Sequence, residues 1–161
     1  MATTAAETLV LACSTGCGMV ARVMPARDAY HDQVRHALER DSWTITHDPL
    51  RLKVRRRKLY VDLGAERFLG AEKGVRKIAI EIKTFSGPSD VRDLEDAVGQ
   101  FVLYEHALRR EEPDRSLYLA VSESTWQLVF TDALGEILID DHVLRVVTFD
   151  PMKQEIVRWI P

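Results

Sequence analysis

From Lys77 to Phe85 the chain reads KIAIEIKTF, with an isoleucine at every second position from Ile78 to Ile82. Period-2 alternation predicts a strand, because successive side chains leave opposite faces of a pleated backbone. Upstream, DAYHDQVRHALERD (28–41) spaces Tyr30, Val34, Ala37, Leu38 and Asp41 as one face of a helix, with Asp28 as its N-cap. SWTITHDPL alternates Trp43, Ile45 and His47 and predicts a first strand, closed by a turn at Asp48-Pro49. RLKVRRRKLY follows as a basic run. YVDLGAERFLGAE then continues as an extended segment, with Gly64 and Gly70 as bends or bulges.

After the KIAIEIKTF strand, SGPSD is a loop whose Ser89 or Asp90 can cap a helix. Residues 90–112 predict that helix, with Val91, Leu94, Val98, Phe101, Val102 and Leu108 as its core-facing stripe and Pro113 as its stop. RSLYLAVSE is apolar enough for a strand buried on both faces. STWQLVFTDALGEILIDD reads as one or two short helices. LRVVTFD and QEIVRWI read as a C-terminal hairpin turning at Asp150–Lys153. The order is helix, three strands, helix, strand, then an additional section, which predicts an α/β sandwich with a mixed sheet.

A length of 161 residues is one ordinary domain, and 46% hydrophobic with 29% charged residues is a globular composition. A net charge of -3 excludes a polycation, so any contact with nucleic acid needs a local patch. The candidate patch is Arg51, Lys53, Arg55, Arg56, Arg57 and Lys58. Such a run can track a phosphate backbone, or it can simply protect a solvated edge strand.

Cys13 and Cys17 make neither a disulfide framework nor a zinc site, and are expected to be free thiols in a reducing cytoplasm. The first 23 residues are small, Thr/Ala/Gly-rich and nearly uncharged. Their apolar run of about six residues is too short for a signal core or a membrane span. They are expected to be a loosely packed extension or a start-site artefact, with residues 24–161 as the single domain. The rest of the chain has no apolar run long enough to cross a membrane.

The chemistry of interest lies on the second face of the KIAIEIKTF strand, where Ala79 is followed by Glu81 and Lys83. Two opposite charges on a strand face that should be core are costly unless paired or engaged with a ligand. Asp62 and Glu66 lie in the preceding extended segment. A turn centred between Lys73 and Arg76 would pair Phe68 with Glu81 and Glu66 with Lys83, all facing one side. That register carries Asp62 well past Glu81 unless Gly64 or Gly70 bends the strand, and it leaves open whether Asp62 or Glu66 is nearer. Two carboxylates on adjacent strands suit a hard cation such as Mg²⁺ or Mn²⁺. A lysine beside them can orient water against a phosphate. The plainer reading is a structural ion pair on a solvated face.

An acidic residue, then about twenty residues, then E-x-K on a strand followed by a helix resembles the PD-(D/E)xK superfamily. The resemblance implies a restriction-endonuclease-like sandwich. Gln100 and Tyr104 form Q-x-x-x-Y on the second helix, one turn apart. This is similar to the RecB-like branch, where the pattern lies beside the metal site. That branch often places a glutamate on the first helix; the comparable position holds His31, with Glu39 as the alternative.

The blocks HALERDSWTITHDPL, YVDLGAE, KIAIEIKTFSGPS, AVGQFVLY, EPDRSLYLAV and FDPMKQEIVRWI, in that order from Met24 onward, resemble the XisH family. The resemblance implies a cytoplasmic controlling factor for excision of the fdxN DNA element during heterocyst differentiation in cyanobacteria. Its implied partners are DNA, a site-specific recombinase and a second small protein, XisI. The resemblance supports two functions. In one, a Mg²⁺-dependent endonuclease uses Asp62 and Glu81 as metal ligands, with Glu66 and His31 as further candidates, alongside Lys83, Gln100 and Tyr104. In the other, a non-catalytic scaffold binds XisI or the recombinase.

Overall fold

The computed structural model describes residues 26–71 and 74–161. The expectations for the 23-residue head, Cys13 and Cys17 lie outside the described residues. Helix α1 (His31–Arg40) is followed by five strands: β1 (Thr44–His47), β2 (Leu50–Val54), β3 (Arg57–Val61), β4 (Leu63–Gly70) and β5 (Gly74–Ile82). Helix α2 (Asp90–Glu111) leads to β6 (Arg115–Ser122). A helical section follows, made of α3 (Glu123–Thr125), a π-helical turn (Trp126–Phe130) and α4 (Ala133–Asp140). Strands β7 (Val146–Asp150) and β8 (Glu155–Ile160) close the chain as the expected hairpin.

The main sheet is mixed and runs β1-β4-β5-β6-β7-β8, with β5, β6 and β7 mutually parallel and the outer pairs antiparallel. Three of its strands precede α2, as the sequence predicts. The basic run adds what the sequence reading lacked, a separate two-stranded hairpin of β2 and β3. Leu50, Leu52 and Val61 on its inner face are buried, so the hairpin is anchored to the domain by an apolar underside.

Alternation along β5 separates two cores. Ile78, Ile80 and Ile82 pack with Val34 and Leu38 of α1 on one face of the sheet. Ala79 faces the other side, where Leu94, Phe101 and Leu108 of α2 meet Leu117 and Leu119 of β6. Glu81 and Lys83 therefore point toward α2. The α2 stripe is narrower than expected, because Val91 and Val102 are 50% and 38% exposed. Ser89 caps α2, its hydroxyl accepting from the Arg92 N–H. Asp28 does not cap α1 directly; the helix begins at His31, and Asp28 Oδ1 accepts from the Tyr30 N–H at 2.9 Å.

The β4–β5 register corrects the expected one. Leu63 pairs with Ile80, and Glu66 with Lys77 rather than with Lys83, a shift of six residues. The cause is an earlier turn: Gly70 (φ +119°) and Gly74 (φ +67°) flank it, in a backbone region that side chains disfavour. The irregularity expected at Gly70 is present, between Phe68 and Gly70. One step beyond the Leu63–Ile80 pair, the chain brings Asp62 alongside Glu81.

Candidate functional site

Asp62 sits at the joint between β3 and β4, where its Oδ2 accepts from the Ile82 N–H at 2.8 Å. That bond fixes the carboxylate beside the end of β5. Glu81 is 6% exposed, and its buried Oε2 has no hydrogen-bond partner. Burial first, and then the neighbouring charge of Asp62, push the Glu81 carboxyl up to about 8, against the pull of Lys83. Burial also raises Asp62, although the Ile82 N–H and His31 oppose it. Burial and mutual repulsion disfavour both carboxyls being ionised at once.

Lys83 Nζ donates to Gln100 Oε1 at 3.0 Å, and Gln100 Nε2 donates to Tyr104 Oη at 3.4 Å. The helical spacing of Gln100 and Tyr104 makes this chain possible. Burial, then the charge of Glu81, raises the Tyr104 hydroxyl above its ordinary pKa. Asp62, Glu81, Lys83, Gln100 and Tyr104 all line one cavity of about 390 Å³. Helix α2, packed over the sheet face that carries Glu81 and Lys83, thus brings these five candidates together.

Glu66 lies elsewhere. It faces the same side of β4, but the corrected register places it opposite Lys77, where it accepts from Arg115 Nη2 at 3.2 Å. Of the two carboxylates left open by the sequence, Asp62 is therefore the one beside Glu81. Glu39 is also remote in role, held at 3.3 Å by Arg35 on an exposed stretch of α1. His31 is 3% exposed; its Nε2 lies 2.8 Å from Asp48 Oδ1, and its Nδ1 is buried without a partner.

Asp28, Tyr60 and Asp93 also line the cavity, and none of them has a place in the site as read from the sequence. Asp28 Oδ2 accepts from the Thr84 N–H at 2.9 Å, and its Oδ1 accepts from the Thr84 hydroxyl. This clasp joins the segment before α1 to the end of β5. Asp93 Oδ2 accepts from the Gly87 N–H at 2.8 Å, pinning the loop that covers the start of α2. A Cβ on Gly87 would collide with that carboxylate, which is the one legible signal, a glycine four residues after Lys83.

All six basic candidates are exposed. Arg51 and Lys53 pair with Tyr60 and Lys58, so these four share the outer face of the β2–β3 hairpin. Arg55 and Arg56 form its tip, and Arg57 belongs to the inner face. Tyr60 carries the outer face into the cavity, so the cationic surface leads to the acidic pocket.

A metal fits the donor set in part. Glu81 Oε2 and His31 Nδ1 are ligand-type atoms, buried and without partners, and both groups act electrostatically on or through Asp62. Among the described residues, however, no three His, Cys, Asp or Glu side chains are gathered closely enough to hold one ion. None of the described helices is long and apolar enough to cross a membrane.

The fold and site define a mixed α/β domain with a buried acid–lysine pocket under its second helix. Residues 24–157 match the XisH protein family model, and the chain belongs to the XisH family. An XisH family protein from Nostoc punctiforme PCC 73102 is similar in structure, with a TM-score of 0.75 and 36% identity, covering 83% of this chain and 100% of its own. An fdxN element excision controlling factor from Anabaena variabilis has a TM-score of 0.75 and 37% identity, covering 84% of this chain and 100% of its own. No curated protein matches the sequence.

Proposed function

We propose that this protein is a DNA-element excision controlling factor whose pocket is a divalent-metal phosphodiesterase centre on a restriction-endonuclease-like core. The observation that carries the reading is the unpartnered buried oxygen of Glu81, beside Asp62 and in one cavity with Lys83. A buried carboxylate oxygen without a donor is costly, and a cation is the ligand that relieves it.

Asp62 and Glu81 would hold Mg²⁺ or Mn²⁺; His31 does not line their cavity and is engaged with Asp48 instead. The ion would supply charge neutralisation and a more acidic bound water. Lys83, oriented by Gln100, would face the phosphate and stabilise charge on its non-bridging oxygens. Tyr104 braces Gln100 from the next turn of α2. In the hydrolysis, a water oxygen bonds to phosphorus, one bridging P–O bond breaks, and the departing oxygen takes up a proton. The outer face of the β2–β3 hairpin would lead duplex DNA toward the cavity by phosphate contacts.

The test is cleavage of plasmid and branched DNA by purified protein with Mg²⁺ or Mn²⁺, beside Glu81→Ala. Metal-dependent nicking is expected, with a loss of at least roughly 100-fold in the variant. Separately, the double change Arg55→Ser and Arg56→Ser is expected to weaken DNA binding and to lower the salt slope by about 2. An unchanged slope in a binding titration would remove the hairpin from the interface.

The second reading is a non-catalytic scaffold that binds an XisI-type small protein or a site-specific recombinase. It is favoured by the lack of a three-ligand cluster among the described residues. Intact DNA with either protein, with the XisI-type partner withheld and then added, would decide for the scaffold.

A further inference from the structure

Helix α4 (Ala133–Asp140) is apolar around much of its circumference, a pattern that belongs to helices covered on both sides. Leu138 and Ile139 pack against the core, yet Leu134 and Ile137 are 49% and 55% exposed. They face the N-terminal half of α2, where Val91 is half exposed as well. Together Val91, Leu94, Val98, Leu134, Ile137 and Leu138 line an apolar groove of about 450 Å³. Gly99 opens it further: a Cβ there would meet nothing within 4 Å. No described residue covers this groove.

The charge around the groove is mostly negative, with Arg92 the exception on the N-terminal half of α2. Glu95 lines the groove, and Asp90, Asp96, Asp132, Glu136 and Asp140 are exposed on the two helices or at their ends. Between Asp90 and Leu108 the only Lys or Arg is Arg92, and from Thr125 to Leu144 there is none. An apolar trough with Glu95 on its edge, between two helices whose exposed charge is mostly negative, matches a third helix with an apolar ridge and cationic flanks. A second copy of this chain meeting it by the same face would set carboxylates against carboxylates, which argues against a symmetric dimer there.

We propose that the α2–α4 groove is the docking site for a basic amphipathic helix of a protein partner. The inference stands whether or not the neighbouring cavity cleaves DNA. It gives that partner a route to the cavity, because Gly99 of the groove adjoins Gln100, which holds Lys83.

The probe is a fluorescent peptide of about 16 residues with Leu at i, i+3, i+4 and i+7 and Lys and Arg on its flanks. Controls are the same apolar ridge flanked by Glu, and a scrambled basic peptide. Against the full chain at low salt, anisotropy is expected to give a Kd on the order of 10–100 µM for the basic helix. The Glu-flanked and scrambled peptides should bind at least about tenfold more weakly. Gly99→Trp, which fills the groove from an open helical position, should abolish binding while the circular dichroism melt is no lower than that of the parent. Ile137→Glu should do the same by a different route.

Equal binding of the basic and scrambled peptides, or binding unaffected by both variants, would overturn the proposal. So would no binding by any peptide. A dimer in sedimentation that Gly99→Trp returns to monomer would assign the groove to a second copy and overturn it too.

Discussion

Glu81→Gln is expected to make the metal-free protein more stable at pH 8, on the order of a few kcal/mol. Burial and the charge of Asp62 raise the Glu81 carboxyl from its ordinary 4.5 to about 8 in the folded state. Between those two values the native protein keeps a proton that the unfolded chain has released. Stability therefore falls as pH rises from about 4.5 toward 8, and the full cost is present above it. Glutamine cannot ionise, and its amide can donate to Asp62, so the variant should not show this part of the decline. Urea unfolding of both proteins at pH 5 and pH 8 in EDTA measures it. Parallel losses in the two proteins would refute the assignment. Added Mg²⁺ should then stabilise the parent protein and leave the variant nearly unmoved, because binding stabilises only the state that binds.

The second large effect is expected at Arg115, a cation that is 6% exposed. Its Nη1 donates to the Ile78 and Ala65 carbonyls at 2.8 and 3.2 Å, and its Nε and Nη2 reach Glu112 and Glu66 at 2.7 and 3.2 Å. One guanidinium thus joins β4, β5, the end of α2 and the start of β6. Arg115→Ala would leave two carboxylates without their cation and two carbonyls without this donor. A loss of about 3–5 kcal/mol in urea unfolding is expected, as for other broken buried pairs. Arg115→Lys should recover little of it, since a single ammonium cannot replace the planar fork. A loss under about 1 kcal/mol would show that the network is dispensable.

What the sequence made legible was local. The isoleucines of β5 fixed which face Glu81 and Lys83 occupy, and helical spacing put Gln100 and Tyr104 on one side of α2. What it hid depended on turns and on distant partners. The β2–β3 hairpin turns on Arg55 and Arg56, with Arg55 at φ +53°, a conformation usually marked by Asn or Gly. Six basic residues in ten masked the alternation of Leu50, Leu52 and Val54. The β4–β5 register rested on locating one turn, and misplacing it moved Asp62 away from Glu81. Asp28 looked like a cap because its true partner, Thr84, lies 56 residues away. Val91 and Val102 fit the apolar stripe of α2 by spacing, but spacing cannot say whether a second element arrives to cover them.

The net charge of -3 conceals how that charge is arranged. Helix α2 has 22 residues, about 33 Å of rise. Its N-terminal half borders the acidic groove, and its C-terminal half runs beneath the cationic hairpin, beside Arg57 and Arg110. Along this one helix the charged neighbours change from Glu95 at the groove to Arg57 and Arg110 below the hairpin. A polyanion would be attracted to the hairpin end of the helix rather than to the groove end. On the two proposals made above, the groove would stay open to solution while the hairpin is engaged, and DNA and a helical partner could be held at the same time.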